Sequence, residues 1–475
     1  MATASGGSTR LSLGRVVIFA LAGLPVGAMA AGLLIYVPPY LATQLGVSLG
    51  VVSTVWLVVR LIDIGVDPAV GMLMDRTHSR IGRYRPWMLA GAPAFMLGVA
   101  MLFFAPAGIT WIYLVGWLLM LYLGMSILGL AHTAWAATLA TDYKDRSRIF
   151  GIMTAIGILA LLVVLSIPVI VGKTSKGDAG AIHAMGWFLV GIAPVAIGIA
   201  TWLTPERLNA DQKRRGGGMH LGDIAMVFRK LDLLRLYLAQ MAFTLGPGWM
   251  TSIYIFFTRD YMHFTTAQAS ILLLFYVTAG LLGAPFWAHV SGRIGKHRTV
   301  MVIAVAYSLG LMTVLLPPKG VLVWSIPVNL WCGFAGSGFE LTVRSMLADV
   351  ADEVRLEQGR DRLSLIYSLG TATAKISSAV AIAISYAILR QVGYIPTLGH
   401  GNSASAVRGL GFTFCIGPIA CVMLGAVCMV GWRLTAQRHR DIQTALEARD
   451  AERALGIGDG EPVGEAAAVA AGHAA

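Results

Sequence analysis

The sequence predicts an all-α membrane protein, with twelve transmembrane helices in two six-helix halves. Three observations predict it. The chain is 57% hydrophobic and only 13% charged, against about 25% charged residues in a typical soluble domain, and its mean hydropathy is +0.72. Twelve apolar stretches are long enough to cross a bilayer as helices, which takes about 20 residues each. A basic turn also recurs, as "SRIGRYR" (79–85) after the second stretch and "GRIGKHR" (292–298) after the eighth. The same signature at the same place in both halves marks an internal duplication.

The first half, 1–204, holds spans 1 to 6 at 16–38, 47–74, 86–106, 110–139, 149–171 and 183–204. Span 1 follows "MATASGGSTRLSLGR", which lacks a small-residue cleavage site, so we expect span 1 itself to serve as the insertion signal. Spans 2 and 4 run long because each ends in a polar turn. The stretch 205–231 is the longest polar break and reads as a cytoplasmic middle loop. Within it "MHLGDIAMVFRK" fits a short amphipathic helix lying on the membrane. The second half, 232–440, holds spans 7 to 12 at 232–258, 267–289, 299–317, 321–350, 364–390 and 407–433. The tail, 441–475, has few large apolar residues and reads as a frayed helix followed by a largely disordered cytoplasmic segment.

Charge alternates from loop to loop. "RTHSRIGRYR" (76–85), "DYKDRSR" (142–148), "QKRRGGG" (212–218), "RIGKHR" (293–298), "RLEQGRDR" (355–362) and "RLTAQRHR" (433–440) fall on one side, and nearly uncharged turns such as "PPKG" (317–320) on the other. The positive-inside rule places the basic set, and both termini, in the cytoplasm of a bacterial inner membrane. The net charge of +12 is therefore a topology signal. Nucleic acid is excluded as a partner, because no soluble domain carries a basic face. Enzyme readings find no support: there is no H-E-x-x-H and no G-x-S-x-G, and "GRIGK" is followed by His297 where a phosphate loop needs Ser or Thr. Cys332, Cys415, Cys421 and Cys428 sit in apolar runs without metal-ligand spacing. We expect no cofactor and no metal site.

The informative residues are the charges inside the apolar runs, where each costs several kcal/mol unless paired or wetted. Span 2 carries Arg60, Asp63 and Asp67 in "RLIDIGVDP". The aspartates are spaced i, i+4 and share a face that Arg60 also reaches. Adjacent carboxylates repel, so one holds its proton more tightly or the two share a cation. Pro68 removes a helix hydrogen bond and can free a carbonyl nearby. The pattern fits a cation-coupling site, with an ion pair that locks two helices as the alternative. Span 11 holds one charge, Lys375, too deep to reach the interface easily. It needs a carboxylate partner, and Asp63 and Asp67 are the candidates. Span 10 carries Glu340 and Arg344, again i, i+4, fit either to touch a solute or to satisfy each other. Asp349 and Asp352, near the cytoplasmic end, fit gating or capping. Span 4 offers His132, Thr133 and Trp135, where a tryptophan can stack on a sugar ring or simply pack. Tyr367 of span 11 joins the candidate solute-binding set.

Two halves of six spans with an internal repeat suggest a major facilitator transporter, whose site lies near midplane between the halves. The run "RLIDIGVDPAVGMLMDRTHSRIGRYRPWML" (60–89) resembles the glycoside–pentoside–hexuronide:cation symporters, the melibiose permease family. The pattern is R-x-x-D-x-x-x-D-P-x-x-G, a basic turn, then "RPW". "LATDYKDRSR" (139–148) and "ADVADEVRLEQGRDRLSLIYSLGTATAKISSAVAIAISYAILRQVGY" (348–394) fit as well. The resemblance implies that Asp63 and Asp67 bind the coupling ion, H+ or Na+. It implies that Arg60 and Lys375 belong to the coupling network and that Trp135 stands near the solute. Gly71, Asp75, Arg80, Arg83, Arg85, Asp142 and Arg146 fall in the basic-turn motifs that gate the cytoplasmic side. The chain departs from melibiose permease at Gly27 and Ala131, where that protein has sugar-binding aspartates, and it has no span 5 arginine. Melibiose is thus disfavoured, and a proton, which needs only one carboxylate, is favoured over sodium. The expected activity is symport of a small polar solute, a glycoside or sugar acid, by a monomer in contact with membrane lipid. The alternative is a lysolipid transporter of the same fold.

Overall fold

The structure is a computed structural model describing residues 11–77, 79–139, 143–172, 177–206, 230–358 and 363–454. Every regular element among the described residues is helical. Span 1 is broken into Leu13–Leu21, Leu24–Ala31, a π-turn at Gly32–Tyr36 and Val37–Thr43. Spans 2 to 6 are Leu49–Arg76, Arg85–Phe103, Trp111–Leu139, Tyr143–Val171 and Gly177–Leu203. Span 7 is Leu231–Phe256, prolonged by a π-turn at Phe257–Tyr261. Spans 8 to 12 are Thr266–Ile294, Lys296–Thr313, Leu322–Gln358, Leu363–Gln391 and Ala404–Cys428. Nine helices among the described residues are long and apolar enough to cross a membrane. Spans 7, 9 and 10 are outside that set; they carry Asp232 and Arg235, the basic start "KHR", and Glu340 with Arg344.

Local signals explain several ends. The Ser48 hydroxyl accepts the Val51 N–H and starts span 2. Thr265 and Gln268 form a reciprocal capping box at the start of span 8. Ser403 caps span 12. Spans 3 and 4 pack closely through small residues, the usual route to tight helix contact in lipid. A Cβ on Gly124 would lie 2.5 Å from the Phe95 nitrogen, and one on Gly98 would lie 2.7 Å from the Leu121 backbone.

Spans 2 and 11 touch along one side of the interface between the halves, and spans 5 and 8 along the other. Further contacts gather on the face opposite the basic turns. There Tyr36 Oη lies 2.7 Å from Ser270 Oγ. Val37–Thr43 packs against span 7 and against the turn Pro396–Gly401. The halves thus meet on that face.

The basic turn after span 2 is tied to the end of span 6. The Glu206 carboxylate accepts the backbone N–H groups of Arg83, Tyr84 and Arg85 at 2.5, 2.8 and 3.4 Å. It therefore sits at the positive end of span 3. Gly82 has φ +121°, and a Cβ there would meet Glu206 at 2.0 Å. The expected amphipathic helix at 219–230 lies outside the described residues except for Lys230.

The first part of the tail differs from the frayed helix expected. Ala436–Ala454 is a helix docked on span 10. Ile442 and Leu446, one turn apart, are buried. Arg449 donates to the carbonyls of Arg355 and Leu356, orphan acceptors in the last turn of span 10. Asp450 pairs with Arg355 at 2.8 Å. The tail's few apolar residues are spaced to cover one narrow stripe, which composition alone did not reveal. Residues 455–475 lie outside the described residues.

Candidate functional site

Span 2 crosses midway against span 11, and the charges of the two helices meet there. Lys375 Nζ lies 2.9 Å from Asp63 Oδ2 and also bonds Asp67 Oδ2. Arg60 Nη1 reaches the same Asp63 oxygen at 3.0 Å. The other Asp63 oxygen accepts from the Ser126 hydroxyl of span 4 at 3.0 Å. The Arg60 guanidinium lies over the Tyr122 ring at 4.7 Å, a cation–π contact from the same span 4 face. Asp63 is 1% exposed, whereas the Asp67 side chain is 25% exposed. Asp67 Oδ1 is enclosed and has no hydrogen-bond partner among the described residues.

The two carboxylates are therefore unequal. Asp63 is anchored by three donors from spans 2, 4 and 11. Asp67 holds Lys375 alone and keeps one free acceptor. Two positive and two negative groups balance, which is how four ions coexist at this depth. The ammonium stands where a cation shared by the two carboxylates would stand, so such a cation would have to displace Lys375. Because Lys375 belongs to one half and the aspartates to the other, that displacement cuts an ionic link between halves.

The remaining candidates scatter. Glu340 and Arg344 pair with each other at 2.6 Å, with side chains 75% and 68% exposed. Tyr367 donates its hydroxyl to the Arg344 carbonyl at 3.1 Å, joining spans 10 and 11 beside that pair. Thr133 is exposed and bonds back to the Gly129 carbonyl. His132 and Trp135, expected on the cavity, are instead buried inside the first half. His132 donates to the Phe19 carbonyl at 2.9 Å, and Trp135, 0% exposed, packs edge-on against Phe19 with Arg85 over its ring. Helical spacing alone could not separate this face of span 4 from the Thr133 face.

The motif residues of the first half sit around the Glu206 clasp. Arg83 bonds Asp75 and the Met74 carbonyl, and Arg85 donates to the Thr204 carbonyl at 2.7 Å. Arg80 and Arg146 are exposed, Gly71 is half-buried, and Asp142 lies outside the described residues. In the second half Lys296 grips both Asp349 oxygens at 2.6 and 2.7 Å. His439 of the tail helix lies 3.3 Å from Asp349 and 3.2 Å from Asp352. These aspartates tie span 10 to span 9 and to the tail helix. Ser126, Tyr122 and Glu206 were missed by sequence reasoning, since neutral hydroxyls and a loop glutamate carry no signal without the fold.

The family model for MFS/sugar transport proteins matches residues 18–436. The chain belongs to the MFS/sugar transport protein family. This major facilitator is 24% identical over 400 residues to the isoprimeverose transporter of Lactiplantibacillus pentosus, covering 82% of each chain. It is 22% identical over 420 residues to the glucuronide carrier protein homolog of Escherichia coli K12, covering 86% of this chain and 90% of that one. Among solved structures it resembles the nucleoside transporter NupG, with TM-score 0.66, 13% identity, and 89% of this chain and 100% of that one covered. That likeness is one of fold. The family's members transport rather than catalyse, and the symporter resemblance read from residues 60–89 holds. The protein is a multi-pass membrane protein of the MFS/sugar transport family.

Proposed function

We propose that this protein is a cation-coupled symporter for a small polar solute, a glycoside or sugar acid, working as a monomer in a bacterial inner membrane with both termini cytoplasmic. The observation that carries the reading is Lys375 bridging Asp63 and Asp67 across the two halves. A structural ion pair needs one carboxylate, whereas here a second is held by a single link and keeps a free oxygen. A proton on Asp67 removes its attraction for Lys375 and loosens the halves. A proton is favoured over sodium because one carboxylate suffices for it, while span 4 contributes no carboxylate to this cluster among the described residues. The isoprimeverose and glucuronide relatives support a glycoside or uronide as the solute and do not favour the lysolipid alternative.

On the solute side we assign Glu340, Arg344, Tyr367 and Thr133 to the cavity. A solute carboxylate would draw the Arg344 fork away from Glu340 and bond it bidentately. The test is uptake of labelled glycosides and uronides into vesicles with an imposed proton or sodium gradient. Accumulation driven by the proton gradient is expected. Accumulation with sodium alone would replace the proton in this reading, and gradient-independent equilibration would remove symport altogether. Binding to purified protein separates the two views of span 10. Arg344→Gln should lose affinity for uronides and keep it for neutral glycosides, whereas equal loss for both would leave a structural pair.

A further inference from the structure

On the face opposite the basic turns, spans 2 and 11 border a cleft of about 530 Å³ that no part of the coupling site uses. Its polar rim is Ser48, Thr54, Arg390 and Gln391, and Val51 and Ala387 belong to its apolar wall. Trp111, at the start of span 4 and 61% exposed, stands beside it. Among the described residues that line the cleft, none is acidic. Arg390 is exposed, and its side chain has no hydrogen bond or ion pair among the described residues. Its guanidinium lies over Gly50, within 3.2 Å of where a Cβ would stand. This is the first turn of span 2, whose free N–H groups also favour negative charge. A place in the last turn of span 11, a negative helix end, suits an arginine, but does not account for its resting on the positive end of span 2 with no counter-ion.

We propose that this cleft binds the phosphodiester headgroup of an anionic phospholipid, with Arg390 as its charged contact. Polar groups at the rim, apolar wall along the spans and a tryptophan at the boundary match a headgroup above an acyl chain. A free phosphate would leave the Val51 and Ala387 wall wet. A zwitterionic headgroup would bring an ammonium to a cleft with no acidic lining. The cleft exists only while spans 2 and 11 meet on this face, so a lipid held there stabilises this arrangement in preference to any state in which they part.

The experiment needs no transported solute, so its failure is distinct from failure of the symport reading. Thermal unfolding of the full chain in neutral detergent is followed while dioctanoyl phosphatidylglycerol is titrated. Wild type should gain melting temperature saturably, and Arg390→Gln should need about tenfold more lipid, the loss of one charge-assisted bond. Ala387→Leu, which narrows the apolar wall without touching charge, should also weaken the response, and it carries the test if Arg390→Gln does not unfold cooperatively. Dioctanoyl phosphatidylcholine and glycerol 3-phosphate should each act weakly. The proposal is overturned by a wild type that does not respond, by equal potency of phosphatidylcholine, by glycerol 3-phosphate acting as well as the lipid, or by wild-type affinity in both variants.

Discussion

Asp63 and Asp67 look alike in the sequence and differ in the structure, and their variants should differ too. Asp63→Asn leaves Arg60 short of its partner and removes one of two carboxylates from Lys375 at a site 1% exposed. We expect lost coupling together with about 3–5 kcal/mol of lost stability, read as uphill uptake and as a melting curve. Asp67→Asn breaks one link at a partly exposed carboxylate, so uphill uptake should vanish while the melt stays close to wild type. A variant of either aspartate that still concentrated solute would remove that residue from the coupling site. Lys375→Ala should permit solute leak without cation movement, and Lys375→Arg should not restore coupling, because a planar fork replaces a compact ammonium. Tight coupling in the alanine variant would reduce Lys375 to a structural lysine. Ser126→Ala removes a donor from Asp63 only. It should weaken uphill uptake rather than abolish it, and accumulation equal to wild type would count against a positioning role.

At the scale of elements, the spans were legible and their fastenings were not. Apolar length sets a membrane helix regardless of partners, so the expected spans fall on the observed helices. The meeting of Lys375 with Asp63 was legible because a lone buried ammonium demands an anion and few are deep enough. The Glu206 clasp was illegible: a glutamate in a polar loop has no marked periodicity, and its function lies in three backbone N–H groups more than a hundred residues away in sequence. Trp135 was misplaced because a tryptophan suits a core as well as a cavity, and only the position of Phe19 decides between them. The clasp can be tested through Gly82. Gly82→Ala forces a side chain into a positive φ and against Glu206, and should destabilise the protein by about 1–3 kcal/mol. A melt unchanged from wild type would show that the turn adjusts freely. Truncation after Thr435 removes the docked tail helix and exposes the orphan carbonyls of Arg355 and Leu356. Protease sensitivity should then rise at the end of span 10, where an unaltered digestion pattern would argue against docking.

For the whole molecule, orientation and charge balance matter together. A reporter fused after Arg440 should be active only on the cytoplasmic side, and activity only on the other side would invert the proposed topology. The balance of the central cluster reaches further. With all four groups ionised, Arg60 and Lys375 offset Asp63 and Asp67, and Arg344 offsets Glu340. In the proposed cycle the empty carrier would then reorient with no net charge at its centre, and the membrane voltage would have nothing there to push. A carrier loaded with one monovalent cation and a neutral glycoside moves one positive charge, for which 100 mV supplies about 2.3 kcal/mol. Loaded with a cation and a uronate, it moves none. A current recorded on substrate addition should then appear with neutral glycosides and vanish with uronides, so that the voltage dependence of transport alone reports the charge of the solute this protein carries.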